Sequence, residues 1–225
     1  MITLQNFISP EQQICTEQAL YFHAQGPVGF SQTEGHYLMG RGARISFNTY
    51  FNLFNLSKWN QGCQLDGLFS EISGTGQVEV RIIHAQQDQS WEMVHCELSI
   101  LQADSPHLID LSEFAGAAIE GVLYIEILAL DEKVSLASAR FATNTVPETL
   151  PKLAVSITTF KREAEVRRTV ERFENFLPGF EFSDQIQVQV VDNGNSAEIQ
   201  ASRQITPMVN PNYGGAGGFA RGLLE

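Results

Sequence analysis

The chain has 225 residues, 43% of them apolar and 18% charged, and a formal net charge of −12. That composition belongs to a globular protein with a core and excludes wholesale disorder. No apolar run approaches the ~20 residues of a membrane span, and the acidic balance argues against nucleic acid, which is gripped through surplus Lys and Arg.

The charge is unevenly placed. Residues 1–150 hold 6 basic and 17 acidic side chains, residues 151–225 hold 8 and 9, an asymmetry that points to two units with different tasks. The N-terminus has neither a basic start nor an apolar stretch, so it does not read as a secretory signal. Cys15, Cys63 and Cys96 are odd in number and far apart, which fits reduced thiols in a cytoplasmic protein without a cysteine metal site.

From about Leu20 to Phe141, short apolar runs alternate with turn signals. Arg44–Leu56 puts Ile45, Phe47, Thr49, Phe51 and Leu53 in a period of two, which predicts a half-buried strand with Asn48 and Asn52 on its other side. Ser73-Gly74-Thr75-Gly76 predicts a turn before a strand over Gln77–Ile83. Trp91–Ile100 and Val122–Leu130 are further strands, rich in β-branched and aromatic residues. Strands at this spacing predict an antiparallel β-sandwich, jelly-roll-like, over residues 1–143.

Asn144–Lys152, with two prolines and little to bury, reads as a linker. Leu153–Ile157 then predicts a parallel strand covered on both faces. Val166, Val170, Phe173 and Leu177 form one helical stripe, closed by Pro178-Gly179. Ile186–Val191 is a second strand, Ala197–Gln204 a weaker helix and Ile205–Val209 a third strand. The alternation predicts an α/β, Rossmann-like nucleotide-binding half from residue 153 onward.

In such a sheet, ligands sit beyond the carboxyl ends of the strands. Thr158–Arg162, Asp192-Asn193-Gly194 and the glycine-rich Asn210–Gly222 all arrive there. Glycines let backbone N–H groups approach phosphate oxygens, with the positive end of a following helix behind them. Arg162 or Arg221 can fork onto a diphosphate, and Asp192 can accept from a base N–H or a ribose hydroxyl. Gly215–Ala220 also fits a dinucleotide fingerprint, but those glycines belong after the first strand of that fold, and here they follow the third.

VSITTFKR, VVDNG and NPNYGGAGGFARG together resemble the start of a family 2, GT-A-fold glycosyltransferase, and the last segment is particularly similar to bacterial galactofuranosyltransferases. Thr49-Tyr50-Phe51-Asn52 followed by Trp59 is similar to the β-sandwich preceding the catalytic domain in those enzymes. The resemblance implies transfer of galactofuranose from a UDP-sugar donor to a lipid-linked or polymeric glycan acceptor. dTDP-rhamnose is the competing donor. It implies that Thr158, Phe160 and Arg162 line the nucleotide pocket, that Asp192 meets the uracil, and that Asn212, Gly214 and Gly215 sit near the diphosphate or sugar, with Arg221 in the same motif. Family members continue into an Asp-x-Asp motif that holds Mg²⁺ or Mn²⁺ and then into an acidic base. Neither follows Arg221 here, so the expectation is a chain without catalytic or metal residues of its own. The resemblance also implies a location in the cytoplasm or at the inner membrane face, and it leaves room for a homo-oligomer. From a different class of function, the sandwich could hold glycan through Tyr50, Phe54, Trp59 or Trp91, although such aromatics more often build the core.

Overall fold

The computed structural model describes residues 1–116 and 118–224. They form two compact units, Met1–Val146 and a second beginning at Pro147.

The first unit is an antiparallel β-sandwich of ten strands. In chain order these are β1 (Ile2–Asn6), β2 (His23–Gln25), β3 (Val28–Ser31), β4 (His36–Met39), β5 (Arg44–Ser46), β6 (Phe69–Ala85), β7 (Glu92–Leu101), β8 (His107–Asp110), β9 (Val122–Ala129) and β10 (Val134–Thr143). The ladder runs β2-β5-β9-β6-β10-β4-β3, with β1 on β10 and both β7 and β8 on β6. Alternate residues point inward: Val78, Val80 and Ile82 from β6 and Leu123, Ile125 and Ile127 from β9 are buried against Phe47, Phe54 and Phe141. Each such side chain contributes about 1.5–3 kcal/mol by leaving water.

Two expectations need correction here. Ser73–Gly76 is not a turn. It lies within β6, whose first half pairs with β10 and β8 and whose second half pairs with β9 and β7. A Cβ on Gly74 would lie 2.3 Å from the Ser135 carbonyl oxygen, and Gly76 has φ +101°. The glycines let one long strand bend from one partner set to the other without leaving the ladder.

Arg44–Leu56 is likewise not one strand. β5 ends at Ser46, a turn covers residues 49–52, and helix α1 (Leu56–Gly62) starts with Asn55 accepting the Lys58 N–H at 3.0 Å. Asn52 is fully buried rather than on a solvent face. Its side chain accepts the Ile8 N–H at 2.7 Å and donates to the Ile8 and Tyr21 carbonyls at 2.9 and 2.7 Å. Thr49 donates to the same Tyr21 carbonyl at 2.8 Å. The polar demand of that buried carbonyl overrode the period-two pattern.

In the second unit, β11 (Leu153–Thr159), β12 (Ile186–Asp192) and β13 (Ile205–Val209) make a parallel sheet in that order. Helix α2 (Glu163–Phe176) lays Val166 and Val170 on Val188 and Val190, as its stripe predicts. Helix α3 (Gly214–Leu224) packs on the other face, against Ser156, Thr158 and Val191. β11 is less covered than expected: Leu153 is 55% exposed and only Thr159 is buried. Ala197–Gln204 forms no helix. Asp192 captures the N–H groups of Ser196 and Ala197, and Glu198 takes a left-handed φ of +53°, so the segment is held as a loop.

Candidate functional site

The parallel register brings three loops to one edge. Phe160–Arg162 follows β11, Asn193–Ala197 follows β12 and Asn210–Tyr213 follows β13. Backbone bonds tie the strand ends: Asn193 N–H donates to the Thr159 carbonyl at 2.9 Å, and Asn210 N–H donates to the Asp192 carbonyl at 3.0 Å. The buried Asn193 side chain completes the link. Its Nδ2 donates to the Gly214 carbonyl at 3.3 Å, and its Oδ1 accepts from Asn210 Nδ2 at 2.7 Å.

Asp192 closes β12 and is 8% exposed. Its carboxylate accepts N–H groups of Gly194 at 2.9 Å and of Ser196 and Ala197 at 2.7 Å each. Burial pushes its pKa up, but these backbone donors, Ala197 foremost, hold the carboxyl below its ordinary range. The backbone of Asn195 adds to this effect, so the loop's N–H groups take up most of the acceptor capacity of the carboxylate. Beside it, Ser196 donates to Glu163, and this bond is the main reason the Glu163 carboxyl is also depressed. The start of α2 is thus tied to the β12 loop.

Phe160 is 43% exposed, with the Lys161 ammonium 5.2 Å from its ring centre. Lys161 itself is left-handed at φ +53°, a conformation that costs a non-glycine residue of order 1 kcal/mol and clusters at functional loops. Arg162 is exposed and opens α2, its carbonyl accepting the Val166 N–H at 3.1 Å.

The glycine-rich segment is not a loop before a helix; it is the helix. Asn212 Oδ1 accepts the Gly214 N–H at 3.1 Å, Gly214 has φ +74°, and a Cβ on Gly214 or Gly215 would meet nothing within 4 Å. The start of α3 is therefore open at Gly214 and Gly215, while a Cβ on Gly217 would lie 2.5 Å from Tyr213 Cβ. Two later glycines have another cause: a Cβ on Gly218 would lie 2.2 Å from Thr158 Cγ2, and one on Gly222 would lie 2.1 Å from Ser156 Oγ. They let the helix sit directly on β11.

Phe160, Arg162, Asp192, Asn212, Gly214 and Gly215 thus belong to one edge of the sheet. Thr158 lies against Gly218 beneath α3, and Arg221 falls in the last turn of that helix, ~10 Å along the axis from Gly214 at 1.5 Å per residue. Sequence reasoning placed Asn193 and Asn210 in the converging segments without giving either a role, and it passed over Ser196 and Glu163. A cleft of about 170 Å³ beside Asp192, lined also by Asn195 and Met208, is smaller than the roughly 300–1,000 Å³ of complete ligand sites. Among the described residues no group of three or more His, Cys, Asp and Glu could hold a metal ion. Among those residues the Mg²⁺ or Mn²⁺ of the resembling enzymes finds no ligand set.

Of the sandwich aromatics, Phe54 is fully buried and stacks on Phe141 and on the half-buried Trp59, so it is core. Tyr50 and Trp91 are 81% and 65% exposed. The three cysteines are free, Cys63 and Cys96 exposed and Cys15 half-buried. Among the described residues no helix is long and apolar enough to cross a membrane.

The architecture is an antiparallel sandwich followed by a parallel α/β unit with a glycine-opened helix. The profile of the galactofuranosyltransferase 2 N-terminal family matches residues 13–144. The chain belongs to that family and is a glycosyltransferase-related protein. No curated protein matches it in sequence. Among solved structures, it is similar to a family two carbohydrate esterase from Cellvibrio japonicus (14% identity, 77% of this chain, 50% of that one, TM-score 0.31). It thus spans about half the length of that esterase. It is also similar to the Gap123 glycosylation-associated complex from Streptococcus agalactiae (14%, 86% and 79%, TM-score 0.27). A third is the CBM22-1–GH10 modules of Clostridium thermocellum xylanase 10B (8%, 86% and 38%, TM-score 0.32). Similarity at this level carries no argument.

Proposed function

We propose that this chain serves a glycosyltransferase that moves galactofuranose from UDP-galactofuranose to a lipid-linked or polymeric glycan, and that residues 153–225 form the first part of its GT-A-type donor domain. The observation that carries this reading is the edge where three parallel strands, knitted by Asn193, meet the open start of α3. A helix N-terminus with bare glycines suits a diphosphate, because N–H groups and the helix dipole both favour negative charge. In this reading Arg162 forks onto the diphosphate, and Phe160 offers its exposed ring to the base. Asp192 shapes the 193–197 loop and meets the uracil from there. Asn212 fixes the start of α3, and Thr158 seats the helix. The family match supports the glycosyltransferase class; the donor and acceptor are inferred from the resemblance of the C-terminal motifs.

Calorimetric titration of the chain with UDP tests it. Binding is expected, weakened about tenfold or more in Arg162→Ala, as for loss of a charge-assisted hydrogen bond. Absence of UDP binding would overturn the donor-domain reading. Equal affinity for dTDP would overturn the UDP assignment.

A further inference from the structure

A second concavity lies in the sandwich, far in sequence from the donor edge. It measures about 640 Å³ and is walled by α1, the β6–β7 turn and the segment before β9. Its shape is set by short-range chemistry. Gly121 N–H donates to Ser57 Oγ at 2.6 Å, and Ser57 N–H donates to the Gly121 carbonyl at 3.1 Å, which locks α1 to the opposite wall. Gly121 has φ +107°, and a Cβ there would lie 2.5 Å from the Ala85 carbonyl oxygen. Only glycine lets this wall close onto the end of β6. The turn that forms the third wall holds Asp88 at a left-handed φ of +61°.

The lining is dominated by carboxamides: Asn55, Gln61, Gln86, Gln87 and Gln89. Among the described residues, no hydrogen bond engages the side chains of Gln61, Gln87 or Gln89. Their donors and acceptors are unspent. The charged side chains that line it are one cation, Lys58, and one anion, Glu120, with Asp88 in the adjoining turn, so the cleft offers no surplus of positive charge. No aromatic or large aliphatic side chain except Val122 lines it. Each of these features rejects a ligand class. A phosphate needs surplus positive charge, a metal needs clustered carboxylates or imidazoles, and a lipid or flat heterocycle needs apolar walls. What remains is a neutral ligand with many hydroxyls. A carboxamide donates and accepts from one planar group, which matches the paired hydroxyls of a sugar. The volume lies in the ~300–1,000 Å³ range of ligand sites and, being open at the surface, admits a chain rather than a single ring.

We propose that this amide-lined cleft is a binding site for a neutral oligosaccharide. It holds glycan on the sandwich through Gln61, Gln87 and Gln89, at a site separate in sequence from the donor edge. The exposed aromatics Tyr50 and Trp91 are not among its lining residues. The choice of galactofuranosyl glycan as the sugar rests on the function proposed above; the cleft itself does not.

The test is a ¹⁵N NMR titration of the whole chain with a neutral galactofuranosyl tetrasaccharide, with inorganic pyrophosphate and, separately, with UDP. The sugar is expected to move the side-chain amide resonances of Gln61, Gln87 and Gln89 and the backbone resonance of Gly121. The exposed double variant Gln61→Ala/Gln87→Ala, with an unchanged melting temperature, is expected to raise the dissociation constant at least about tenfold. Sugar-induced shifts confined to other residues, no shifts at millimolar sugar, an unchanged dissociation constant in the double variant, or a stronger response of the cleft to pyrophosphate would each overturn the proposal. The UDP arm reads residues 158–162 and 210–215 alone. Its failure sinks the donor-domain reading and leaves the cleft standing.

Discussion

At the scale of single residues, Asn52 and Asp192 are alike: each is a buried polar side chain that satisfies backbone groups, Asn52 those of distant segments and Asp192 those of the loop that follows it. Asn52 holds Ile8 and Tyr21. Asn52→Ala removes the side-chain partner of the Ile8 N–H and carbonyl and leaves the Tyr21 carbonyl with Thr49 alone, at about 1–3 kcal/mol for a buried orphan. The variant is expected to lower stability by roughly 2–4 kcal/mol in urea unfolding followed by tryptophan emission, which reports this unit because Trp59 and Trp91 both lie in it. A loss under about 0.5 kcal/mol, the size of an ordinary surface change, would refute the role. Asp192 and Glu163 make a pH prediction. Both have folded pKa values below their ordinary 3.8 and 4.5. Their contribution to stability is therefore complete above the ordinary range, and it is lost as pH falls through the depressed values. Amide exchange at Gly194, Ser196 and Ala197 should accelerate relative to the sandwich as pH drops below about 4, after correction for intrinsic rates. Asp192→Asn should show that faster exchange already at neutral pH. Exchange in the variant that matches the native chain would show that the carboxylate does not hold the loop.

At the scale of elements, glycines divide by what surrounds them. Gly74 and Gly218 sit where a Cβ would collide with a neighbour, at 2.3 Å from the Ser135 oxygen and 2.2 Å from Thr158 Cγ2. Gly215 has open space. Gly74→Ala should destabilise the sandwich by about 1–3 kcal/mol through overpacking at the bend of β6. Gly218→Ala should loosen α3 despite alanine's helix preference, raising its amide exchange. Gly215→Ala, with no clash and a better helix former, should slow exchange in α3 and stabilise it by up to about 1 kcal/mol. Identical effects at 215 and 218 would rule out helix-on-strand packing as the reason for the second. The glycine-rich segment was legible as a special backbone. Whether its glycines serve a ligand, a clash or a turn was not, because that depends on Ser156 and Thr158, some sixty residues earlier in the chain.

At the scale of the molecule, two hydrophobic clusters are built wholly from one unit each, the larger from the sandwich and the smaller around α2, Val188 and Val190. Between them Val146 and Leu150 are 74% and 47% exposed, and residues 144–152 hold no strand or helix. Limited trypsin digestion is expected to cut first after Lys152, read by mass spectrometry, because exposed irregular backbone fits a protease cleft. Tryptophan emission should stay unchanged after that cut. A red shift would mean that the sandwich core depends on the rest of the chain.

The sequence by itself determined the sandwich, the linker-like composition of 144–152, the strands at 153, 186 and 205, and the helix over Val166–Leu177. Each is a local pattern of apolar residues at period two or 3.6, set by backbone geometry. Only the tertiary structure decided the rest. It turned Ser73–Gly76 into the bend of one long strand, took Asn52 and Asp192 into service for distant or loop backbone, unwound the expected helix at 197–204, and made the glycine-rich run a helix. These outcomes depend on which carbonyls and N–H groups meet across the fold, and a buried polar group must find a partner wherever the chain supplies one. For Gly74, Asn52 and Gly218 the partners lie about thirty to sixty residues away, beyond any window of neighbouring residues.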